Sequence, residues 1–319
     1  MKKNIDNKFI SDLTDKFKEK KISNNSIKLY IRNLEKLNDK EPIKNFKFLE
    51  NIESIEKKLE RYKDNTKRSY YIAICSTLNM FNDNKKIKKL YDEYFKKMME
   101  LNKKLKIEES KNIMSDTQKK NWIEQDELDK FYNDLKDEVV LFSKNKDINE
   151  TKYKTLLKYV VLSLYYLQPP RRNLDYQKMN IVKVDGKINN EINYLSYDDK
   201  EFIFNVFKTS KTEGQVRVKI TDKMMDVINI YVKFHPLIMN KIVKKTDVAF
   251  LVNFNGEKLD KINSITRILN SIFGKNIGSS LLRHFFLSNK YGSIIKEQTK
   301  DANDMSHSKE TQQNYIKTN

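Results

Sequence analysis

The residues able to do chemistry lie in the second half of this chain, in five separated pieces. Pro169-Pro170-Arg171-Arg172-Asn173-Leu174-Asp175 fixes a turn with two prolines and presents two arginines directly after it. A guanidinium stays charged and pairs bidentately with phosphate oxygens. Asp175 stands three residues after Arg172, within one helical turn, where its carboxylate can hold that guanidinium. Lys208-Thr209-Ser210-Lys211-Thr212-Glu213-Gly214 sets two lysines beside a turn, where an ammonium can reach a phosphate. Ser280-Leu281-Leu282-Arg283-His284 puts an arginine and a histidine on an early helical turn whose leucines face a core. Met305-Ser306-His307-Ser308 supplies one of only three histidines; the others are His284 and His235, and His235 is assigned no role. Tyr315 follows eight residues after His307. A phenol is a poor nucleophile at its free pKa near ~10. Cations that stabilise the phenolate and a phosphorane-like transition state make it competent. Taken singly, each piece also has a plain structural reading: an arginine pair at a helix end, a solvated turn, a packing tyrosine.

The elements that must position these pieces read as mainly α with a small antiparallel β-sheet. Up to about residue 100 the apolar residues recur at helix spacing: Phe9, Ile10, Leu13 and Phe17, then Ile27, Tyr30, Ile31, Leu34 and Leu37, with Ser26 as a cap. Further helices are predicted over 52–62, 66–81 and 82–104. Residues 1–120 contain no glycine, so their loops fall to Asn, Asp and Lys. The polar stretch from Lys106 reads as an interdomain linker, which divides the chain into a helical domain over 1–105, a linker over 106–122 and a second domain over 123–319. In that second domain helices are predicted over 126–142 and 151–167, the latter stopped by Pro169-Pro170. Alternating apolar and polar residues over 181–184, 194–197, 202–207 and 216–220 predict short antiparallel strands, the last two joined by a hairpin turn at Thr212-Glu213-Gly214. Helices resume over 222–234, 262–273, 279–290 and 294–302, and a last one begins near Lys309.

Composition narrows the class of partner. Of 319 residues, 63 are Lys or Arg and 44 are Asp or Glu, a formal net charge of +19. Residues 1–120 hold 31 basic and 19 acidic side chains, which makes this part the more positive per residue. Such a surface suits a polyanion, because cations that neutralise phosphates release counterions. The one cysteine, Cys75, excludes an internal disulfide and a cysteine metal cluster. No apolar run approaches the ~18 residues of a membrane span, and no apolar segment follows the first lysines, so the expectation is an intracellular protein without a membrane partner.

The ordered series Arg172, Lys211, Arg283-His284, His307, Tyr315 resembles the catalytic set of tyrosine recombinases, the phage-integrase family. LLRHFF is similar to the family's Leu-Arg-His box and MSHS to its Gly-His-Ser box. PPRRNLDYQKM resembles its first arginine box, and aligning Asp175 and Met179 with that box selects Arg172 over Arg171. The resemblance covers most of 123–319 and, more loosely, the basic helical domain, which is similar to the family's core-binding domain. Three positions depart from the pattern: Ser280 stands where the family has its first histidine, Ser306 stands where it has glycine, and the step from His307 to Tyr315 is one residue short. Either Lys211 or Lys208 fits the hairpin lysine, with Lys211 the better placed beside the turn. His284 or a water can replace the phosphate contact of the missing histidine.

The resemblance implies a site-specific recombinase or integrase of a virus or mobile element, acting with DNA in the host cell. Tyr315 would attack a phosphodiester of double-stranded DNA and form a 3′-phosphotyrosine bond. Arg172 and Arg283 would clamp the non-bridging oxygens, His307 would contact the phosphate, and the lysine would protonate the leaving 5′ oxygen. No metal, ATP or other cofactor is called for. The two domains would wrap DNA, with a monomer or weak dimer free in solution and a tetramer on recombining DNA. A type IB topoisomerase shares this chemistry, and a catalytically degenerate DNA-binding protein shares the surface.

Overall fold

The computed structural model describes residues 8–182, 189–239 and 248–317. It is mostly helical, with one small mixed sheet of five strands. The chain divides into two compact units, 1–114 and 115–319, so the division falls inside the stretch read as a linker.

The first unit is all helix: α1 (Lys8–Glu19), α2 (Asn24–Leu37), α3 (Ile52–Leu59), α4 (Asp64–Leu78) and α5 (Lys85–Ser110). Its core collects the periodic apolar residues, among them Leu13, Phe17, Leu34, Leu49, Ile55, Ile74 and Leu78, all fully buried. Tyr94 of α5 is buried too and donates its hydroxyl to the Leu49 carbonyl at 2.8 Å, which satisfies the one polar atom it brings inside. Caps are drawn from the small polar residues. Ser23, not Ser26, caps α2 by accepting from the Ser26 N–H, and Asn51 and Asn84 cap α3 and α5. Left-handed backbone occurs at Lys21, Asp39, Lys40 and Asn112, residues that take the turns glycine would otherwise make.

The expected linker is largely helical. α5 continues to Ser110, and α6 (Asp116–Asn121) begins at a capping box in which Ser115 and Gln118 bond each other's backbone N–H. Only about 111–115 connects the two helices.

The second unit continues with α7 (Gln125–Ser143), α8 (Glu150–Tyr166), α9 (Asn173–Gln177), β1 (Met179–Val182), β2 (Asn193–Ser196), β3 (Glu201–Phe204), α10 (Ser210–Glu213), β4 (Val216–Lys219), α11 (Asp222–Lys233), α12 (Pro236–Met239), β5 (Val248–Ala249), α13 (Ser264–Phe273), α14 (Ser279–Asp304) and α15 (Lys309–Tyr315). α8 is the central helix, buried over most of its length from Tyr153 to Tyr165. The sheet runs β4-β3-β2-β1-β5. β1 and β2 are parallel, with Ile181 opposite Leu195, and the other three pairings are antiparallel. This corrects the expectation of an antiparallel sheet: side-chain alternation sets which face is buried and carries no information on strand direction. Residues 183–184 of the first predicted strand lie outside the described residues. The two-residue β5 is too short to show an alternation.

Two connections also differ from expectation. The link between β3 and β4 is no tight hairpin: the chain leaves β3 at Phe204, forms the single turn α10, and re-enters at Val216 through Gly214 with φ +71°. The two helices predicted over 279–290 and 294–302 are one 26-residue helix, α14, with Gly292 inside it. Glycine lowers helix propensity by about 1 kcal/mol against alanine without removing a hydrogen bond, so it weakens the helix and does not end it. Among the described residues no helix is long and apolar enough to cross a membrane.

Candidate active site

The arginine turn is fastened at both ends. Asn173 accepts from the Tyr165 hydroxyl at 2.7 Å and donates to Thr266 Oγ1 at 2.9 Å, tying the start of α9 to α8 and α13. Gln177 donates to the carbonyls of Leu259 and Lys261 at its other end. Asp175 is only 3% exposed and pairs with Arg171 Nε at 3.0 Å, not with Arg172 as its spacing suggested. Both i+3 and i+4 partners lie on one helix face, so spacing alone does not choose between them. The Arg171 guanidinium also lies 3.8 Å from the Phe204 ring centroid and 5.1 Å from that of Phe207. Burial raises the Asp175 pKa, and the Arg171 charge opposes that rise without cancelling it. Arg172, the N-cap of α9, is half-buried, and its side chain has no hydrogen bond or ion pair among the described residues.

The lysine connection is joined to this turn by a residue that the sequence reading missed. Asn193, the first residue of β2, is 0% exposed. Its Nδ2 donates to the Asp175 carbonyl at 2.8 Å and the Val206 carbonyl at 3.0 Å. Its Oδ1 accepts from the N–H groups of Asn205 at 2.8 Å and Val206 at 2.7 Å. One buried amide thus holds α9 beside the segment that leads to Lys208 and Lys211. In so Asn-rich a chain nothing in the sequence marks this asparagine; the only signal is a polar residue opening an apolar strand. Lys208 and Lys211 are both exposed and unpaired among the described residues, Lys211 on α10.

Arg283 and His284 sit in the second turn of α14. Leu282 and Phe285 bury this end of the helix, Phe285 against Trp122 at 5.7 Å between centroids, and Asn289 bonds Gln125 at 2.9 Å. Arg283 is half-buried, Ser280 and His284 are exposed, and none of the three has a side-chain partner among the described residues.

His307 follows the end of the same helix. The Ser306 and His307 N–H groups bond the carbonyls of Asn303 and Ala302, and Ser306 takes φ +56°. That left-handed residue turns the chain, Ser308 caps α15 by accepting from the Thr311 N–H, and Tyr315 ends α15. The result is a face-to-face pair: the His307 and Tyr315 rings lie 5.6 Å apart at 19°. His307 Nε2 is buried without a hydrogen-bond partner, while Tyr315 is 69% exposed.

The structure therefore brings together Arg171 with Asp175 and His307 with Tyr315, and ties the arginine turn to the lysine connection. It does not bring Arg283 to the His307–Tyr315 pair within one chain. From Arg283 to the end of α14 the helix climbs about 30 Å at ~1.5 Å per residue. His235 is buried, its Nε2 lying 3.1 and 3.3 Å from the Ala249 and Phe250 carbonyls, and burial lowers its pKa.

The first unit holds a separate cluster of cations that form no ion pair among the described residues. Arg32 and Lys36 lie one turn apart on α2, and the Arg61 guanidinium is 5.0 Å from the Tyr62 ring centroid. Tyr62 in turn lies 5.0 Å from the Tyr70 ring, and Asn33 pins α2 to α4 through Ser69. The Tyr70 hydroxyl, Arg61 and Lys36 hold the Tyr62 phenol below its ordinary pKa. No protein-family model, curated protein or solved structure matches the chain.

Proposed function

We propose that the chain is a site-specific DNA recombinase that cuts and rejoins duplex DNA through a 3′-phosphotyrosine bond, with the first unit as a DNA-binding domain of the core-binding kind and the second as a tyrosine-recombinase catalytic domain. The observation that carries this reading is the end of α14, where a left-handed serine seats the His307 ring against that of Tyr315 although the step between them is one residue short of the family pattern. Arg172 and Arg283 support it, because each presents a guanidinium with no protein partner among the described residues. So does the excess of cations over 1–120.

In the reaction Tyr315 Oη attacks the phosphorus and the bond from phosphorus to the 5′ oxygen breaks. Lys211, or Lys208 on the same connection, gives that oxygen a proton. His307 Nε2 receives the phenol proton as its ring turns out of the stack. Arg172 and Arg283 neutralise the non-bridging oxygens, on which charge gathers in the transition state. The covalent link conserves the energy of the broken diester, so a 5′-hydroxyl from a second duplex reverses the step and exchanges strands. A tetramer on DNA supplies four such tyrosines.

The test is a nicked suicide substrate. The wild-type chain traps a covalent DNA adduct, and Tyr315→Phe does not. An adduct that survives Tyr315→Phe overturns the assignment, and relaxation of supercoiled plasmid at no particular sequence moves it to a type IB topoisomerase.

A further inference from the structure

Beside Arg172 the second unit exposes two branched aliphatic side chains. Leu174 is 50% exposed on α9, and Ile262 is 80% exposed on the segment that leads into α13. The two belong to one seam. Asn173 bonds Thr266 at one end of α9, and Gln177 bonds the Leu259 and Lys261 carbonyls at the other, so residues 259–266 run alongside α9 with Leu174 and Ile262 between the fastenings. The backbone on either side of Ile262 is fixed: the Ser264 N–H bonds the Lys261 carbonyl and the Arg267 N–H bonds the Asn263 carbonyl, both at 2.9 Å. An isoleucine shown to water on a fixed segment adds nothing to the core, because the hydrophobic gain comes only from area removed from water. The surroundings are cationic. Residues 258–267 carry Lys258, Lys261 and Arg267 against one carboxylate, Asp260, and Lys178 is exposed one turn beyond Leu174. Arg172, Lys178, Lys261 and Arg267 form no ion pair among the described residues.

We propose that Leu174 and Ile262 read a thymine: they pack against the 5-methyl group of a base next to the phosphate held by Arg172, while the cations around them meet the backbone on either side. The inference rests on the recombinase reading and deepens it, by adding a sequence-reading contact to a site otherwise made of phosphate contacts. The chemistry selects the occupant. The unpaired cations call for an anionic ligand, and the two aliphatic side chains call for an apolar surface within it. Among the base edges that duplex DNA shows in its major groove, the thymine methyl is the apolar one. Contacts to phosphate fix where a protein sits and carry no sequence information directly, so the apolar pair supplies what Arg172 does not.

The test is a thymine-to-uracil exchange, which removes that methyl and leaves every hydrogen bond of the base pair. Duplexes bound by the chain are selected from a random library, and each thymine common to the selected set is replaced by uracil in turn. At one position wild-type binding, measured by anisotropy, falls about fourfold, as expected for losing one buried methyl-sized group. Ile262→Ser binds the thymine and uracil duplexes equally there, at the weaker level, and Ile262→Val keeps most of the discrimination. A change that only loosened the fold would weaken both duplexes together and preserve their ratio. Uracil tolerated at every position overturns the contact. So does a ratio that survives in both Ile262→Ser and Leu174→Ser, which leaves the pair to a protein partner. The nicked substrate keeps the two readings apart. A wild type that forms its Tyr315 adduct but ignores the methyl loses only the thymine contact. One that prefers the methyl but forms no adduct loses the recombinase reading and keeps the contact as a DNA-binding protein. One that neither selects duplexes nor forms an adduct loses both.

Discussion

Asn193 offers the sharpest test of how the second unit holds its arginine turn. The amide is wholly buried and makes four hydrogen bonds, two given to carbonyls and two taken from N–H groups. Asn193→Leu keeps the volume and removes all four. A buried group left without a partner costs about 1–3 kcal/mol. Asn205 and Val206 are only half-buried, so part of that loss returns through water, and a net destabilisation of about 3 kcal/mol is expected. Asn193→Asp keeps both acceptors but loses both donors and sets a carboxylate against two carbonyls. Burial raises the folded pKa of such a carboxyl. The folded state then binds the proton that the unfolded state has released, so stability is greatest below the unfolded pKa of ~3.9 and falls as pH rises through the raised folded value. Asn193→Asp therefore loses up to about 1.4 kcal/mol per pH unit across that window, whereas Asn193→Leu follows the wild-type profile. Urea unfolding followed by Trp122 reads this directly, because the only tryptophan of the chain lies in the second unit, against Phe285. If Asn193→Asp matches the wild type at pH 7, or if both variants lose the same amount at every pH, the amide does not fasten this turn.

Three further outcomes are expected. Ser306→Gly relieves left-handed backbone at the end of α14 and raises stability by about 0.5–1 kcal/mol, while Ser306→Val lowers it by more; thermal unfolding in which Gly is the less stable contradicts the turn geometry. His235 is buried neutral with its pKa lowered, so its contribution is present above ~6.5 and is lost as pH falls below that value; His235→Leu flattens this part of the stability profile in urea titrations, and an unchanged acid slope removes the assignment. Replacing Arg32, Lys36 and Arg61 by Gln weakens duplex DNA binding and reduces the slope of log K against log salt by about one or more, measured by anisotropy. The same three-charge change at Lys85, Lys88 and Lys89, in the first two turns of α5, serves as the control, and an equal effect there reduces the cluster to general charge.

Most of the helices were legible because burial of one face imposes a 3.6-residue period, and Leu13, Phe17, Ile27, Leu34 and Leu37 are buried as that period requires. What periodicity does not carry was not legible. The direction of β1 against β2 depends on a connection, and strand alternation is the same either way. The end of α5 was read as linker because 106–110 lack a clear apolar period, their single apolar residue Ile107 being exposed, yet a helix begun by a packed face continues through polar helix formers at little cost. The gap between the helices predicted over 279–290 and 294–302 contains Gly292, which lowers propensity but removes no hydrogen bond, and α14 runs through it. The candidate residues were legible by type and order, but their partners were not. Asn193 acts through four atoms that come from two other segments, and only the folded chain brings those segments to it.

The adjacent arginines differ in what meets their charge. Arg171 stacks on Phe204, faces Phe207 and pairs with a buried carboxylate, so its charge is already met by the protein. The same Asp175 gives its N–H to the Arg172 carbonyl at 2.9 Å, which fixes the backbone from which the second guanidinium projects. A clamp for a transient anion needs a cation that is held in place but not neutralised. Arg171 and Asp175 lock the turn, and Arg172 makes no hydrogen bond or ion pair among the described residues, which on the proposed reading leaves its charge for the phosphate. Replacing Arg171 by an apolar residue while keeping Arg172 removes the hydrogen-bonded cation of a buried carboxylate, leaves Asp175 only the smaller influence of the Arg172 charge, and loosens the backbone from which Arg172 projects.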